Sequence, residues 1–263
     1  MSEHAAAPIP MIDPPDGARM FALEMQPLLA DCAPSGRIRL DALARWVQDV
    51  AHADMAAAQL ETAVVWVVRR TRIRVERFPR FGERLLVQTF ASGLARMWAE
   101  RRTTVRAQPG IAGPLAGDPA EAPLVEAVTL WIHLDRVRLV PTPLSPAVFE
   151  TYAATAGDRR FSHRLVHPRP EAVEPDGEWI FRRADLDLAD HVNNAAYWEL
   201  LEEGLLAEPG DPASVDAEVE YRLPAQPGPA TVKRAGDYTW LTDPRSDEIY
   251  ASMLLSATRG RRG

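Results

Sequence analysis

Apolar residues recur along the chain with two different periods, and the alternation of these periods predicts its secondary structure. Over Leu40–Leu60 the apolar positions lie three or four residues apart, which predicts an amphipathic helix. Over Thr71–Arg77 the period changes to two, so that apolar and charged residues take opposite faces of a predicted strand. Further strands are predicted at Phe21–Ala30, Leu85–Ser92, Met97–Ala107 and Leu124–Leu134.

The second half of the chain repeats this order of elements. A strand candidate at Glu178–Ala184 precedes a helical pattern at Ala195–Leu206. Three more strand candidates follow, at Val215–Leu223, Thr231–Leu241 and Glu248–Ala257. A long helix lying across a curved antiparallel sheet buries the apolar faces of both. The pattern therefore predicts an α+β fold of two tandem units, in each of which a long helix lies across a curved antiparallel sheet.

Stretches rich in proline and glycine suggest where these units begin and end. Gln108–Pro123 has the composition of a surface loop, and residues 136–176 hold many prolines with a short helix near Ser145–Thr155. We expect a disordered tail at 1–19, an N-terminal unit at 20–135, a connector at 136–176, a C-terminal unit at 177–258 and a tail at 259–263.

Composition narrows the classes of protein to which the chain can belong. Of its 263 residues, 46% are hydrophobic and 25% charged, an ordinary balance for a globular protein. A formal net charge of −7 argues against nucleic acid as a partner. Cys32 is the only cysteine, so no intrachain disulfide can form and a cytoplasmic location is expected. We expect no membrane insertion, because no uncharged apolar stretch approaches ~20 residues and no signal-peptide pattern is present.

Polar side chains are densest in Asp185–Glu203, which reads D-L-D-L-A-D-H-V-N-N-A-A-Y-W-E-L-L-E-E. Asn193 or Asn194 is suited to cap the helix that follows. The first turn of a helix has unpaired N–H groups and a partial positive charge, so it can stabilise an oxyanion. Asp187 and His191 would add a carboxylate and an imidazole, the groups needed for attack on a carbonyl. The alternative interpretation is an ordinary turn and cap, where Asp and Asn are common.

This stretch resembles the second-domain motif of acyl-ACP thioesterases, written roughly D-x-D-x-N-x-H-V-N-N-x-x-Y. The agreement lies in D-L-D, in H-V-N-N and in Tyr197. The first half is similar to that family's N-terminal domain over Gly36–Asp54 and over R-F-P-R-F-G-E at Arg77–Glu83. The resemblance covers most of residues 21–257. It implies two tandem hotdog units that hydrolyse fatty acyl thioesters, on acyl carrier protein or on CoA, in fatty-acid and lipid metabolism.

Carried over residue by residue, the resemblance assigns catalytic positions to Asp187 and His191. The family's asparagine between them falls on Ala189, which has no hydrogen-bonding side chain. The family's glutamate after a Tyr-Arg pair falls near Pro224 and Ala225, so that acid is missing as well. The implied reaction is attack of water on the thioester carbonyl, with Asp187 orienting or deprotonating the water and His191 positioning the water or the carbonyl. N–H groups near Asn194 would stabilise the oxyanion, and Asn193 would help to fix the loop.

Three interpretations follow from the two departures. Another acid serves, with Glu202 or Glu203 on the helix as candidates and Asp190 as a further one. Alternatively, Asp187, His191 and the helix N-terminus suffice at a reduced rate, since losing one general acid or base costs ~10²–10⁴-fold. In the third interpretation the protein binds or senses acyl thioesters without hydrolysing them. A hotdog dehydratase or hydratase is disfavoured, because its motif of a histidine and an acid is not found.

No cofactor is expected, because the sequence lacks metal-ligand spacing, a glycine-rich phosphate loop and a serine nucleophile elbow. The expected partner is the acyl-ACP or acyl-CoA substrate, and homodimer formation is left open. In the family that this chain resembles, the N-terminal unit holds much of the tunnel that binds the acyl chain. His52, on the predicted helix of this unit, fits a packed or surface residue better than a catalyst. The candidates for an apolar pocket, with plain core as the alternative, are Trp46, Val50, Trp66 and Val68.

A row of arginines is the other candidate feature of the first half. Arg72 and Arg74 share one face of the strand predicted over Thr71–Arg77. Arg70, immediately before that strand, lies on the same face. Such a row could steer an acidic carrier protein or a phosphate group. A solvated strand face is the alternative interpretation.

Overall fold

The computed structural model describes residues 16–60, 64–107, 124–135 and 137–259. Within these ranges the helices are α1 (Leu40–Ala57), α2 (Pro146–Ala156) and α3 (Tyr197–Ala207). The strands are β1 (Phe21–Met25), β2 (Val64–Arg77), β3 (Leu85–Leu94), β4 (Trp98–Ala107), β5 (Leu124–Asp135), β6 (Pro175–Phe181), β7 (Pro212–Tyr221), β8 (Gly228–Ala235), β9 (Tyr238–Thr242) and β10 (Ile249–Arg259).

These ten strands form one antiparallel sheet in the order β1-β3-β4-β5-β2-β7-β10-β9-β8-β6. The order β1-β3-β4-β5-β2 in the first half corresponds to β6-β8-β9-β10-β7 in the second. The halves join where β2 pairs with β7, from Arg70 opposite Glu220 to Val75 opposite Val215. The predicted α+β fold of two tandem units is therefore confirmed, and each half presents its own long helix, α1 or α3, to the sheet.

The core lies between the sheet and the two helices, which pack against each other on one face. Leu43 and Val47 of α1 are buried there, as are Trp198 and Leu201 of α3. The sheet contributes alternate residues of its strands, among them Ile73, Val75, Val215, Ala217, Val219 and Met253. Burying one large apolar side chain contributes roughly 1.5–3 kcal/mol, so this shared core holds the halves together.

Residues 157–174, which we call the connector segment, run along the opposite face of the sheet without forming a helix or strand. His167 of this segment places Nε2 3.1 Å from Oε1 of Glu218 on β7. Glu218 and Glu220 alternate along β7 with the core residues, so they point away from the helices. Arg70 of β2 donates to two carbonyl oxygens of the segment, each at 3.2 Å. The connector segment is thus fixed to both halves.

The stretch Thr231–Leu241, predicted as one strand, is a hairpin of β8 and β9, and that prediction is wrong. The chain turns at Gly236, where φ is +56°. Glycine adopts this left-handed conformation without the steric penalty of a Cβ. Within the described ranges, the second half therefore has four strands after α3, as the first half has after α1.

Other boundaries shift by a few residues from their predicted positions. The first strand ends at Met25 instead of Ala30, and α1 ends at Ala57 instead of Leu60. The strand predicted to reach Ala184 ends at Phe181, because residues 183–185 form a 3-10 turn. The short helix predicted between the halves is present as α2.

The predicted N-terminal tail is only partly within the structure. Arg19, the last residue of that predicted tail, is anchored, since its Nε and Nη2 donate to Oδ1 of Asp54 at 3.0 and 2.7 Å. Residues 1–15 and 260–263 and the predicted loop at 108–123 lie outside the described residues. Among the described helices, none combines the length and the apolar character needed to cross a membrane.

Candidate functional site

The loop between β6 and α3 carries the polar residues singled out in the sequence. The N–H of Asp187 donates to the carbonyl oxygen of His191 at 3.0 Å, which closes a tight loop. Oδ1 of Asp187 accepts from the N–H of Ala189 at 2.8 Å, as in an Asx turn. Asp187 remains exposed to solvent and His191 is half-buried. Its imidazole makes no hydrogen bond or ion pair with the described part of the chain.

Asn193 caps the start of the helix. Its Oδ1 accepts from the N–H of Ala195 at 2.8 Å, at the beginning of a 3-10 turn that leads into α3. The N–H of Ala196 donates to the carbonyl oxygen of Asn193 at 2.9 Å. The N–H of Asn194 has no hydrogen-bond partner among the residues described. Of these three N–H groups, it is the one left to receive an oxyanion.

A glutamine from the other half of the protein holds this cap. Nε2 of Gln48 on α1 lies 3.3 Å from Oδ1 of Asn193, and Nδ2 of Asn193 lies 3.5 Å from Oε1 of Gln48. The same Nδ2 lies 3.5 Å from Oδ2 of Asp187. Asn193 therefore links the candidate base to the helix of the N-terminal half. The motif pointed to Asn193, but nothing in the sequence pointed to Gln48.

Two buried tyrosines support the loop from the core. The hydroxyl of Tyr221 accepts from Nε1 of Trp198 at 2.8 Å and donates to the carbonyl oxygen of Asn194 at 3.0 Å. The hydroxyl of Tyr197 accepts from the N–H of Ala225 at 3.3 Å. Burial raises the pKa of both Tyr197 and Tyr221 above the usual range of a phenol. Both hydroxyls therefore stay protonated, and Tyr221 keeps its donor to the loop.

The structure supplies no acid at the positions where the family motif is incomplete. Ala189 is exposed and contributes only its backbone. Pro224 is exposed and Ala225 is fully buried. The polar side chain that follows is Gln226, whose Nε2 donates to the carbonyl oxygen of Asp190 at 2.9 Å. Gln226 fixes the loop as a neutral amide, a role that sequence reasoning missed.

The two glutamates suggested as replacement acids lie in different surroundings, and among the described residues neither makes a hydrogen bond or ion pair with the loop. Glu202 is 2% exposed, and its Oε2 accepts from Nη1 of Arg37 at 3.2 Å and from the N–H of Leu40 at 3.0 Å. Its Oε1 lies 2.7 Å from Nη2 of Arg37, an ion pair outside hydrogen-bond angles. The carboxylate of Glu202 thus binds Arg37 and the first N–H of α1, which does not fit the role of a replacement acid. Glu203 is exposed on the next position of α3.

A cavity of about 490 Å³ lies in the N-terminal half, between α1, α2 and strands β2 to β5. Of the predicted pocket residues, Trp66 lines this cavity. The other three, Trp46, Val50 and Val68, are 5%, 0% and 3% exposed and belong to the core between helices and sheet. Apolar side chains of the lining include Ala51, Met55, Leu94, Trp131 and Val148. The volume lies within the range of small-molecule sites.

Helix α1 connects the cavity to the candidate catalytic loop. Gln48, His52 and Met55 follow at helical spacing on one side of α1. Gln48 contacts the loop, whereas His52 and Met55 line the cavity. The rise from Gln48 to His52 is about 6 Å, so the cavity begins about one helical turn from the loop.

One wall of the cavity carries a buried charged network that sequence reasoning missed. Asp54 of α1 is 1% exposed, and its Oδ2 accepts from Nη1 of Arg101 at 2.7 Å and from the hydroxyl of Tyr152 at 2.9 Å. Burial raises the pKa of Tyr152, so this hydroxyl remains a donor. Asp54, Arg101 and Tyr152 come from α1, β4 and α2, and spacing along the chain gives no signal that they meet.

The arginine row of β2 is paired with acids and is not an open basic surface. Arg72 contacts Asp216 through Nε and Nη2, both at 2.7 Å. Nε of Arg70 lies 4.0 Å from Oε2 of Glu218, and Arg70 also holds the connector segment. Arg74 pairs with the neighbouring glutamate of its own strand at 2.6 Å. Because acids neutralise all three side chains, the geometry does not favour steering of a carrier at this face.

His167, Glu218 and Glu220 lie close enough together to act as metal ligands. Their polar atoms already have partners, however, because Nε2 of His167 meets Glu218 at 3.1 Å and Oε2 of Glu220 meets Nη2 of Arg222 at 3.1 Å. The guanidinium groups of Arg222 and Arg70 beside these carboxylates oppose a further cation. This cluster fits an anchor for the connector segment better than a metal centre.

Comparisons with known proteins agree with this architecture. Models of the acyl-ACP thioesterase N-terminal and C-terminal domains match residues 19–152 and 171–231. Uncharacterized proteins from two strains of Mycobacterium tuberculosis, CDC 1551 / Oshkosh and H37Rv, are each 25% identical over 249 residues, covering 93% of this chain and 95% of theirs.

Solved structures of three proteins share the fold over nearly their whole length. One is described as an oleoyl thioesterase of Lactobacillus plantarum, with a TM-score of 0.71 and 20% identity, covering 94% of this chain and 99% of that one. An acyl-ACP thioesterase of Bacteroides thetaiotaomicron has a TM-score of 0.68 and 15% identity, over 90% and 98%. The 12:0-ACP thioesterase of Umbellularia californica has a TM-score of 0.66 and 16% identity, over 91% and 98%. The chain, with its tandem hotdog fold and with family models matching most of its length, belongs to the acyl-ACP thioesterase family of thioester hydrolases.

Proposed function

We propose that this protein hydrolyses fatty acyl thioesters, carried by acyl carrier protein or CoA, to free fatty acids in lipid metabolism. Family membership supports the reaction class. The observation that carries the proposal for this chain is the contact between Asn193 and Gln48. It brings the loop of Asp187 and His191 beside the helix that lines the cavity, and this proximity supports a single substrate that occupies both places.

The proposed reaction uses the groups that the loop leaves free. The acyl chain lies in the cavity, and the thioester carbonyl reaches the loop beside the start of α3. Asp187 takes a proton from water while His191 positions the water or the carbonyl. The water oxygen bonds to the carbonyl carbon, and the N–H of Asn194 donates to the oxyanion. The C–S bond then breaks, and the proton held by Asp187 passes to the departing thiolate.

The replacement Asp187→Asn tests this assignment without disrupting the loop. An asparagine oxygen can still accept from the N–H of Ala189, so the turn is kept while the base is lost. We expect kcat for an acyl thioester to fall by ~10²–10⁴-fold, and we expect a loss of kcat within the same range for His191→Ala. The matched control is Asp237→Asn, an exposed acid at the turn between β8 and β9. Turnover by Asp187→Asn at the rate of the control would refute the assignment.

Binding without hydrolysis is the second candidate function. It is favoured by Ala189 and Pro224, which leave the loop without the amide and acid of the family motif. The two functions are separated by assaying acyl chains of several lengths on both carriers, together with equilibrium binding of the same thioesters. Saturable binding with no release of thiol on either carrier would favour the binding function.

A further inference from the structure

The loop that precedes α1 has the same backbone structure as the candidate catalytic loop that precedes α3. Residues 28–40 match residues 182–194 in order, without an insertion or deletion. Both loops begin with a 3-10 turn, at Leu29–Asp31 in one and at Arg183–Asp185 in the other. An isolated antiparallel bridge then closes each loop, at the equivalent pairs Cys32–Ile38 and Leu186–Val192.

Backbone hydrogen bonds recur in the two loops between equivalent residues. The N–H of Ala33 donates to the carbonyl oxygen of Arg37 at 2.8 Å, and the N–H of Asp187 donates to that of His191 at 3.0 Å. Ala33 thus stands where the candidate catalytic loop has its carboxylate, and Arg37 stands where it has its imidazole. The N-terminal half therefore has the loop without the groups proposed to act on a thioester.

In the N-terminal loop, the N–H at the start of the helix binds a carboxylate from the other half. Oε2 of Glu202 on α3 accepts from the N–H of Leu40, the counterpart of Asn194, at 3.0 Å. The same oxygen accepts at 3.2 Å from Nη1 of Arg37, the counterpart of His191. A carboxylate oxygen carries negative charge, as does the oxyanion that forms when a thioester is attacked. Glu202 therefore shows where a loop of this structure binds an anionic oxygen.

Gln48 is the counterpart of Glu202 on the other helix. Gln48 follows Leu40 at the same distance along the chain as Glu202 follows Asn194. Glutamine and glutamate side chains have the same length, so the amide of Gln48 can reach an oxygen held by the N–H of Asn194. Its contact with Asn193, the residue before, shows that Gln48 points towards this loop.

The hydrogen-bonding capacity of Gln48 is only partly used. Its Nε2 carries two hydrogens, and one of them is directed to Oδ1 of Asn193 at 3.3 Å. Among the residues that the structure describes, Asn193 is the only one that the side chain of Gln48 contacts by a hydrogen bond. Gln48 is half-buried and not sealed in the core. A second donor beside the N–H of Asn194 would add to the stabilisation of an oxyanion.

We propose that Gln48 is a catalytic residue of the hydrolysis, whose Nε2 donates to the carbonyl oxygen of the thioester beside the N–H of Asn194. This inference rests on the proposed function and adds a residue of the N-terminal half to the reacting centre. As water attacks, the π electrons of the carbonyl group move onto its oxygen, and the two donors stabilise the oxyanion. The carbonyl group forms again when the C–S bond breaks. Gln48 transfers no proton, and it supplies an amide to a loop in which Ala189 has none.

Two replacements of Gln48 test the donor by steady-state kinetics on one acyl thioester. Gln48→Ala keeps the helix, because alanine favours helices most, and Gln48→Met keeps the length of the side chain without a donor. We expect kcat to fall by ~10²–10³-fold in both variants, as for the loss of one oxyanion donor, with KM within about threefold of wild type. The matched control is Gln88→Ala, a half-buried glutamine on β3 whose loss should leave kcat unchanged. Wild-type kcat in both Gln48 variants would overturn the proposal.

Gln48→Glu separates donation to the substrate from the holding of Asn193. A carboxylate at this position still accepts from Nδ2 of Asn193, so a purely structural role would leave Gln48→Glu more active than Gln48→Ala. If Gln48 is the donor, the added negative charge should bring kcat at neutral pH to the value of Gln48→Ala or below it. Protonation of the acid restores a donor, so kcat relative to wild type should rise as pH falls towards the ordinary glutamate pKa of about 4. Higher activity of Gln48→Glu than of Gln48→Ala at neutral pH would overturn the proposal, as would a ratio to wild type that does not change with pH.

The variant Asp187→Asn separates a failure of this proposal from a failure of the proposed function. Thiol release that is lost in Asp187→Asn but kept in both Gln48→Ala and Gln48→Met would support the hydrolysis and refute the role of Gln48. Thiol release by the wild type that does not exceed that of Asp187→Asn would refute the proposed hydrolysis, and the catalytic role of Gln48 with it.

Discussion

Glu202 connects α3 to the start of α1 from a buried position, and its replacement by alanine separates a structural role from a catalytic one. Its partner Arg37 is 1% exposed. Removing one member of a buried ion pair costs about 3–5 kcal/mol, because the remaining charge stays buried without compensation. Arg37 would keep its ion pair with Asp211, which is partly exposed and lies 3.2 Å from its Nε. We therefore expect the free energy of unfolding to fall by an amount at the lower end of this range, about 3 kcal/mol. At about 2–4 °C per kcal/mol for a chain of this size, Tm should fall by roughly 6–12 °C.

The assay combines thermal unfolding with kcat measured well below the Tm of the variant. If Glu202 is structural, kcat per folded molecule stays within about threefold of wild type while Tm falls. Glu203→Ala is the matched control, since this neighbouring glutamate is exposed and its loss should change stability by no more than about 0.5 kcal/mol. An unchanged Tm for Glu202→Ala, with kcat lowered by ~10²-fold or more, would refute the structural role and restore Glu202 as the replacement acid.

Two further predictions concern the helix cap and the acid dependence of stability. Asn193→Ala should lower the free energy of unfolding by about 0.5–2 kcal/mol through loss of the cap, and it should also lower kcat. Gln48→Ala should lower kcat with little change in Tm. Equal losses of Tm in the two variants would contradict the assignment of the cap to Asn193 alone. Burial opposes ionisation of Asp41, but hydrogen bonds from Arg39 and Arg45 outweigh it and hold the pKa of Asp41 below its usual value. The stabilising effect of this carboxylate is complete above the ordinary pKa of about 4 and is lost as pH falls through the lower folded pKa. The difference in unfolding free energy between wild type and Asp41→Asn should therefore shrink between pH 5 and pH 2 in urea titrations, and a difference independent of pH would contradict this assignment.

Periodicity was sufficient to predict most elements of the fold, because burial on one side imposes the period of each element. The helix starting at Leu40 and the alternation along β2 illustrate this. The hairpin at Gly236 was missed because its turn has only two residues, Gly236 and Asp237, and apolar residues such as Val232 and Trp240 lie on either side of it. The division into units at 20–135 and 177–258 stays a prediction. The order of strands is compatible with it, because the strands of the two halves meet in the sheet where β2 pairs with β7.

The site was only partly readable because much of it depends on contacts between distant parts of the chain. The motif located the loop of Asp187 and His191, and local cap chemistry indicated Asn193. The partner of Glu202 lies 165 residues away at Arg37, and the acids that pair with Arg70 and Arg72 lie on β7. Likewise, periodicity gave no reason to separate Trp66, which lines the cavity, from core residues on the same strand. That distinction depends on where α2 packs against β3.

The pairing of β2 with β7 makes each half the permanent partner of the other. Six residues of each strand are paired, and in isolation each strand would be an exposed edge with unpaired N–H and carbonyl groups. A covalent link turns their encounter into an intramolecular event with an effective concentration on the order of millimolar. Assembly of the complete sheet is then independent of how much protein is present. The halves are consequently free to diverge, one keeping the polar loop and the other the cavity, because neither has to remain compatible with a copy of itself.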